Sequence, residues 1–365
     1  MKNVIKFTCD FNNNLIDKDT SILEALEILD REKIKVLFYV DENNRLIGSV
    51  TDGDIRRAIL SGNKVEDGIC MAVHEQPCCV DKDDEVLALK IMHSRQVKAV
   101  PLLDENGTIL KIFYETYTEK KEDKEAINLP VVIMAGGKGK RLYPYTKILP
   151  KPLIPIDDIP ISERIINKMS EEGCDNFYMI VNHKKNMIKA YYGDDDVLGQ
   201  MNVKLNFIDE DIPLGTGGGL KLLKDEIKGT FILTNCDILI QEDLVNIVSH
   251  HEKNKNMITM VCSLKNIEIP YGVVSFSEGG ELLSFDEKPQ KSFFTNTGFY
   301  IVETDIFDYI KDDENIGMPD IIARIKADNK KVGIYPISEK KWLDMGQFDS
   351  MESMEQVIKE NSEFN

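Results

Sequence analysis

The stretch VVIMAGGKGKRLYPYTKILPKPLIP, residues Val131–Pro155, opens with five apolar residues that predict a strand buried on both faces. Three glycines follow within four positions, three cations are interleaved with them, and Lys151 lies further on between two prolines. Glycines let backbone N–H groups approach a ligand closely, and successive N–H groups form a concave site for anions. A glycine loop with four cations after a buried strand therefore predicts a polyphosphate site.

Two familiar phosphate-binding loops do not fit this pattern. A P-loop needs a glycine five positions before Gly139 and a hydroxyl residue after Lys140, and neither is present. A dinucleotide fingerprint needs a third glycine where Leu142 stands, which disfavours a nicotinamide dehydrogenase. The stretch instead resembles the signature of the sugar-1-phosphate nucleotidyltransferases (NDP-sugar pyrophosphorylases), which is an apolar strand, G-G-x-G-[ST]-R-L and then P-K-P. Lys140 departs from it, because the family has Ser or Thr there.

The resemblance implies a loop that wraps a nucleoside triphosphate, with Arg141 and Lys151 stabilising charge on the phosphates and Mg²⁺ completing the site. A second glycine-rich run, PLGTGGGL at residues 213–220, resembles the family's L-G-T-[AG]-G-[AG]-[LI], although alone it would equally suit a flexible loop before a helix. The implied nucleotide-binding residues are Ala135, Gly136, Gly137, Gly139, Lys140, Arg141, Gly215, Thr216, Gly217 and Gly218.

Two aspartates far apart in the sequence are the candidate metal ligands. Asp237 ends an apolar strand where the family carries a metal-binding aspartate, although an aspartate in that place is usually a cap or turn residue. Asp344 lies in WLDMG, which resembles the family's W-x-D-x-G. Because Mg²⁺ needs only one or two carboxylates besides phosphate oxygens and water, we expect folding to bring the two aspartates together. Trp342 is expected to be a core residue.

Three further motifs resemble the sugar side of the same family. They are YGVV from Tyr271, FDEKP from Phe285 and NTGFY from Asn296. Each is weak alone, since a Glu-Lys pair usually lies on a solvated surface, but all the motifs occur in the family's order. Lys288 would bind the sugar phosphate and act in catalysis with Arg141 and Lys151. The implied sugar-binding residues are Gly272, Glu287, Lys288, Asn296, Thr297 and Gly298.

Strand and helix patterns alternate along residues 129–365. Such alternation predicts βαβ units and an α/β domain with a mostly parallel mixed sheet, whose ligands bind at the carboxyl ends of the strands. Together with the resemblance, this predicts a Rossmann-like nucleotidyltransferase domain.

Residues 1–114 contain an internal repeat of about sixty residues. The triplet DKD at residues 17–19 recurs at 81–83, and DEN at 41–43 recurs at 104–106. The helix-strand-turn-strand-helix order resembles a tandem pair of CBS domains, which are α+β. The first copy ends in GSVTDGDIRRAIL, close to the CBS nucleotide motif, and the resemblance implies a ligand site at Thr51 and Asp54. A regulatory nucleotide there and a purely structural or dimerising pair are equal alternatives, with Asp54 a helix cap in the second.

Composition and charge limit the partners. The 365 residues carry a net charge of −18, with a pI near 4.8, which argues against nucleic-acid polymers and anionic membranes as partners. No apolar run approaches the roughly 18 residues of a membrane span, and the seven cysteines lack zinc spacing. We expect reduced thiols and a cytoplasmic location. Residues 115–128 are mostly polar or charged and are predicted to be a linker.

The expected function is transfer of a nucleotidyl group from an NTP to a hexose 1-phosphate, giving an NDP-sugar and pyrophosphate. A CBS pair before such a domain is similar to the glucosamine-1-phosphate guanylyltransferases of legionaminic acid biosynthesis. That similarity implies GTP, glucosamine 1-phosphate, a role in surface-glycan or nonulosonate synthesis, and a homo-oligomer through the CBS domains. Mannose-1-phosphate guanylyl transfer is the near alternative, and a non-catalytic nucleotide sensor is the alternative of another class. Only 21 residues follow Asp344, so no hexapeptide-repeat acyltransferase domain is expected.

Overall fold

The computed structural model describes residues 4–32, 34–116, 127–193, 195–198 and 203–346. They form two compact units, which divide between Glu122 and Asp123. Most of the linker predicted at residues 115–128 lies outside the described residues. Of its ends, Thr116 closes a strand of the first unit, and Ile127 is buried in the core of the second.

The N-terminal unit contains two three-stranded sheets, with strand orders β2-β3-β4 and β1-β6-β5. Its helices begin at capping residues, since the side chains of Ser21 before α1 and Asp84 before α3 accept hydrogen bonds from backbone N–H groups. Its elements in chain order are β1 Val4–Thr8, β2 Leu15–Ile16, α1 Ile22–Arg31, β3 Val36–Val40, β4 Leu46–Thr51, α2 Asp52–Leu60, α3 Glu85–Arg95, β5 Ala99–Leu103 and β6 Ile109–Thr116.

The two copies of the repeat share their local structure. Each has a helix followed by an antiparallel pair, β3–β4 or β5–β6, with a register shift after Tyr39 or after Leu102. In each turn an aspartate, Asp41 or Asp104, accepts hydrogen bonds from two backbone N–H groups. Such bonds fix the turn in the same conformation, so the predicted repeat extends to individual hydrogen bonds.

The C-terminal unit is organised around a seven-stranded mixed sheet with the order β11-β10-β7-β12-β17-β14-β18. Smaller sheets pair β8 with β9, β13 with β19 and β15 with β16. The elements are β7 Val131–Met134, α4 Tyr145–Ile148, β8 Pro155–Ile156, β9 Ile159–Pro160, α5 Ile161–Glu171, β10 Asn176–Val181, α6 Lys185–Tyr192, α7 Asp195–Leu198, β11 Lys204–Asp209, β12 Thr230–Asn235, β13 Ile238–Ile240, α8 Leu244–Asn254, β14 Ile258–Glu268, β15 Val273–Phe276, β16 Leu282–Asp286, β17 Gln290–Glu303, α9 Met318–Ala327, β18 Val332–Ile337 and β19 Trp342–Asp344.

The predicted α/β class with a mostly parallel mixed sheet is confirmed. Only the two pairings that involve β17 are antiparallel in the large sheet, and the other four are parallel. β7 lies inside this sheet, and its side chains alternate between two apolar clusters. Val131 and Ile133 pack with α5, α6 and α8 on one face, and Val132 packs with α9 on the other. The strand is therefore buried on both faces, as its apolar run predicts.

The parallel strands β11, β10, β7 and β12 place their carboxyl ends along one edge of the sheet. This is the edge at which open α/β sheets bind ligands. None of the helices in the described ranges has the length and apolar character that crossing a membrane would require.

Candidate active site

The carboxyl end of β7 leads into the glycine loop, which surrounds a cavity of about 580 Å³. Such a volume accommodates a small-molecule ligand. Ala135 does not belong to the lining, because it is buried in the core and its N–H donates to the carbonyl of Ile180. The sequence-predicted residues that do line the cavity are Gly136, Gly137, Gly139, Lys140, Arg141, Lys151, Gly215, Thr216 and Asp237.

Gly139 is the glycine that the loop conformation requires. Its φ is +60°, and a Cβ atom there would lie 2.7 Å from Cγ2 of Thr146 and 3.2 Å from Cβ of Lys151. Thr146 also donates a hydrogen bond of 3.0 Å to the Gly139 carbonyl. A Cβ atom at Gly137, in contrast, would meet nothing within 4 Å. The two positions therefore differ in conformation and in free space.

Gly139→Ala is expected to lower the free energy of unfolding by about 2 kcal/mol or more, since the left-handed conformation alone costs alanine about 1–2 kcal/mol and the contact with Thr146 adds to it. The matched control is Gly137→Ala, for which we expect a change within about 0.5 kcal/mol. Urea denaturation of both variants measures the difference, and equal stabilities would contradict this account of the loop.

The second glycine run is divided between the cavity and the core. Gly215 and Thr216 line the cavity, whereas Gly217 and Gly218 are buried. A Cβ atom at Gly218 would lie 2.1 Å from the carbonyl oxygen of Glu314. These two glycines therefore allow close packing against Glu314 and α9, and only the first half of the run lines the cavity.

The structure brings Asp237 and Asp344 close together. Asp237 directly precedes β13, which pairs with β19 so that Ile238 lies opposite Asp344. The Met345 N–H donates to the carbonyl of Asp237 at 2.9 Å. Burial raises the pKa of Asp344, and the negative charge of Asp237 raises it further. A buried and a half-buried carboxylate that repel each other are an arrangement that a bound cation would stabilise.

The oxygen donors of the aspartate pair suit a hard divalent cation, which takes its other ligands from phosphates and water. Within the described residues, no group of three or more His, Cys, Asp and Glu side chains is arranged to hold a metal ion. Asp237 and Asp344 therefore fit a site that is completed by a substrate, as distinct from a closed structural metal site.

Two cations flank the aspartates. Lys151 forms an ion pair with Asp237, and their side chains are only 14% and 9% exposed. Arg141 forms no hydrogen bond or ion pair with any of the described residues, although its charge acts on Asp344. Its guanidinium is therefore available to a ligand, and it suits phosphate oxygens.

Cys236 also lines the cavity beside Asp237, which makes its thiol a candidate nucleophile by position. Burial raises the pKa of this thiol to about 12. Because the thiolate is the reactive form, this raised pKa disfavours Cys236 as a nucleophile at neutral pH.

A second cavity of about 380 Å³ adjoins the first and shares Arg141, Thr216, Asn235 and Asp237 with it. Its lining includes Asp344 and the predicted sugar-binding residues Asn296, Thr297 and Gly298. Trp342, predicted to be a core residue, packs against the core and also lines this cavity. Charged side chains therefore lie where the two cavities meet.

Internal hydrogen bonds already use the polar groups of the Asn296 turn. The Asn296 Nδ2 donates to the Tyr300 hydroxyl at 2.6 Å, and its Oδ1 accepts from the Gly298 N–H. The Thr297 hydroxyl donates to the carbonyl of Val261 at 2.8 Å. The turn is therefore rigid, and it shapes this wall of the second cavity.

The structure does not bring the other predicted sugar-binding residues to either cavity. Gly272, Glu287 and Lys288 are exposed beside the hairpin of β15 and β16 and are absent from the described linings of both cavities. The hairpin carries exposed apolar side chains, including Phe276 at 68% and Leu283 at 65%.

Among the cavity residues that sequence reasoning missed, three are polar residues at the carboxyl ends of strands. Asn182 follows β10, Glu210 follows β11, and Asn235 ends β12. None belongs to a motif of its own, but each comes at the carboxyl end of a parallel strand. That position was the available signal, because ligands bind at this edge.

In the N-terminal unit, Thr51 and Asp54 form a capping box at the start of α2. The Thr51 side chain accepts from the Asp54 N–H, and the Asp54 carboxylate accepts from the Thr51 N–H and also pairs with Arg57. Thr51, and not Asp54, is the N-cap residue. The structural role is therefore present, whether or not a nucleotide binds.

Asp54→Ala is expected to lower stability by about 1 kcal/mol through loss of the capping box. Glu24→Ala is the matched control, because Glu24 occupies the same position in the capping box of α1. If Asp54 also binds a nucleotide, calorimetric titration with AMP, ATP and GTP loses its heat only in Asp54→Ala. An unchanged titration in that variant would exclude the proposed ligand site.

Comparisons with known proteins agree with this geometry. The sequence profile of the Nucleotidyl transferase family matches residues 130–361, and that of the CBS domain matches residues 13–61. The chain is 31% identical over 241 residues to the bifunctional protein GlmU of Methanococcus aeolicus, a match that covers 63% of this chain and 55% of that protein.

Other relatives are named for the transfer of different nucleotides. The UTP–glucose-1-phosphate uridylyltransferase of Synechocystis is 29% identical, over 60% of this chain and 60% of its own length. The mannose-1-phosphate guanylyltransferase of Mycobacterium tuberculosis is 26% identical, over 59% of this chain and 60% of its own length. The chain thus spans little more than half the length of these curated relatives. The profile of the Nucleotidyl transferase family matches most of the C-terminal unit and more than half of the chain. The chain therefore belongs to the Nucleotidyl transferase family.

Proposed function

We propose that the C-terminal unit transfers a nucleotidyl group from an NTP to a sugar 1-phosphate, with release of pyrophosphate. The observation that carries this proposal is the pair of adjoining cavities, which share Arg141 and Asp237. The larger cavity, with the glycine loop, suits the nucleoside triphosphate, and the smaller suits the sugar phosphate. Their junction is where two phosphate groups would meet.

The reaction requires little acid–base chemistry from the protein. A sugar 1-phosphate brings an anionic oxygen that can attack the α-phosphorus in line with the departing pyrophosphate. Catalysis then consists of positioning two negatively charged substrates and neutralising their charge. This agrees with a site rich in cations, in which the raised pKa of Cys236 disfavours its thiol as a nucleophile.

We assign the charges by their place in the two cavities. Arg141, at the junction and without a partner among the described residues, would bind the β and γ phosphates and the departing pyrophosphate. Lys151, held by Asp237, would contact the phosphates around the reacting centre. Asp237 and Asp344 would hold Mg²⁺, which when bound withdraws negative charge from the phosphates.

The proposed sugar-binding residues fall into two groups, of which only one lines the second cavity. Asn296, Thr297 and Gly298 already line the second cavity. Glu287 and Lys288 precede β17, in which the six residue steps from Gln290 to Asn296 correspond to about 20 Å of extended strand. Lys288 would therefore bind the sugar phosphate only if the hairpin of β15 and β16 closes over the cavity.

As the substrate pair we propose GTP and glucosamine 1-phosphate, with a product used in surface-glycan or legionaminic acid synthesis. The similarity in domain order supports this choice. The names of the relatives do not decide the nucleotide, because one contains UTP and another contains guanylyltransferase. Mannose 1-phosphate is the alternative sugar substrate. For the whole chain we propose a regulatory or dimerising unit at residues 1–114, a linker at 115–128 and a catalytic unit at 129–365, in a cytoplasmic homo-oligomer.

The test is pyrophosphate release in the presence of Mg²⁺, with five NTPs crossed against four sugar 1-phosphates. GTP, ATP, CTP, UTP and dTTP would each be combined with the 1-phosphates of glucosamine, N-acetylglucosamine, mannose and glucose. We expect one strong combination that contains GTP. Release with none of them, from a folded protein that still binds nucleotides, would favour the nucleotide sensor.

A further inference from the structure

The short helix α4 connects the two cations assigned to the phosphates, Arg141 and Lys151. Arg141 precedes the first residue of α4 by four positions, and Lys151 follows its last residue by three. Both cations line the larger cavity, but no residue of α4 belongs to the described lining of either cavity. The position of α4 nevertheless affects both cations, because the chain runs through it from one to the other.

Lys184 binds the carboxyl end of α4 with its ammonium group. Its Nζ donates hydrogen bonds to the carbonyls of Thr146 at 3.0 Å, Lys147 at 2.8 Å and Ile148 at 2.9 Å. An ammonium group has three hydrogens, so these bonds use all of its donors. The last carbonyls of a helix have no partner within the helix, and a positive charge beside them is favourable. We call these three hydrogen bonds the Lys184 anchor.

Lys184 itself is held by the large sheet. It lies in the turn between β10, a strand inside that sheet, and α6. Ile188 and Tyr192 of α6 are buried in the apolar cluster that also contains side chains of β7. In the same turn, the His183 nitrogen lies 3.5 Å from the carbonyl oxygen of Gly136, at the start of the glycine loop. The turn therefore connects the sheet both to the glycine loop and to α4.

Contacts on both sides of α4 pass its position on to the site. Before Arg141, the buried Thr146 donates from its hydroxyl to the carbonyl of Gly139 at 3.0 Å. After α4, Lys151 stands between two prolines, which have no N–H group to donate. The Ser162 hydroxyl donates to the carbonyl of the second proline at 2.7 Å. The Lys151 segment is therefore fixed by Ser162 on one side and by α4 on the other.

We propose that Lys184 is a positioning residue, and that the Lys184 anchor sets the places of Arg141 and Lys151 for catalysis. The proposal rests on the proposed function, because it concerns the phosphate-binding cations of the same site. Lys184 is absent from the described linings of both cavities, and carbonyls occupy its donors. It therefore acts through α4 and not by contact with a substrate.

The first test is the kinetics of Lys184→Met, which keeps the apolar part of the side chain and removes the donors. The variant should fold, because Lys147 and Ile148 are exposed and water can replace the ammonium at their carbonyls. We expect kcat for pyrophosphate release to fall by about 10- to 100-fold, since a displacement of about 1 Å at the reacting groups can cost that much. The KM for the NTP should stay within about threefold of the wild type.

The second test is amide hydrogen exchange of residues 139–149 in the whole protein. In this segment the Lys147 N–H donates to the carbonyl of Pro144, and the Leu149 N–H donates to that of Tyr145. Without the Lys184 anchor these bonds should open more often, and exchange should become about tenfold faster. Exchange does not depend on turnover. A wild type that releases no pyrophosphate would exclude the proposed function, whereas unchanged exchange in Lys184→Met would exclude the Lys184 anchor.

Lys185→Met is the matched control, because the neighbouring Lys185 pairs only with carboxylates, those of Asp209 and Asp211, among the described residues. Its kcat and its exchange should equal those of the wild type. Lys184→Arg is a second variant, which keeps the charge and changes the donor geometry, and any loss of kcat in it should come with faster exchange. A normal kcat in folded Lys184→Met, a loss only through KM, or a loss of kcat without faster exchange in either variant would overturn the proposal.

Discussion

Lys151→Ala is expected to lower the rate of pyrophosphate release by about 10²–10³, because it removes one preorganised charge from the reacting centre. Lys151 is the cation that neutralises Asp237, and both side chains are largely buried. Without it, the aspartates and the phosphates would face each other with one positive charge fewer. The protein should still fold, as the large sheet and its two apolar clusters do not depend on this side chain.

The matched control is Lys224→Ala. Lys224 also pairs with an aspartate, Asp308, but the two side chains are 51% and 73% exposed. An exposed pair of this kind contributes little, so the rate and the midpoint of thermal unfolding should both stay near wild type. Near-normal turnover in Lys151→Ala would refute the assignment of Lys151.

Asp344→Asn is expected to have the second large effect, a loss of about 10²–10³ in rate with a changed dependence on Mg²⁺. Burial and the charge of Asp237 raise the pKa of Asp344, so the folded protein disfavours the ionised form. Removing that charge should make the metal-free protein slightly more stable. In the wild type a bound cation would offset the repulsion between Asp237 and Asp344.

Thermal unfolding with and without MgCl₂ measures how much a bound cation stabilises the protein. Mg²⁺ should raise the midpoint of thermal unfolding of the wild type. The midpoint of Asp344→Asn should be higher than that of the wild type without Mg²⁺ and should rise little when Mg²⁺ is added. Asp308→Asn, which changes a 73% exposed aspartate, should respond to Mg²⁺ like the wild type. An Asp344→Asn protein that keeps the full response would show that the aspartate pair is not the metal site.

Local sequence signals predicted the fold well, because the elements that carry it are marked by nearby residues. β7 is a short apolar run before a glycine loop, and its side chains do alternate between two buried clusters. The repeat was equally visible, since Asp41 and Asp104 fix their turns through short-range hydrogen bonds. Sequence could not supply the strand order, in which β17 lies between β12 and β14, because tertiary packing determines it.

The sequence predicted the candidate site only where the site residues belong to a recognisable motif. The glycine loop and Asp237 belong to such motifs. Glu210, in contrast, is one glutamate in an acidic run, and only its burial and its place in the cavity mark it as a candidate site residue. Lys288 shows the opposite difficulty. Its motif predicted a place at the sugar phosphate, but β17 is long and the hairpin before it is exposed.

The pairing of β13 with β19 has a consequence for how the protein is made. Asp237 and Asp344 are more than a hundred residues apart, and the short antiparallel pair beside them is what joins the two halves of the site. On the ribosome, the glycine loop and Asp237 emerge well before Trp342–Asp344. A nascent chain can therefore assemble the strands around β7 first, and the aspartate pair is completed only after Trp342–Asp344 has emerged.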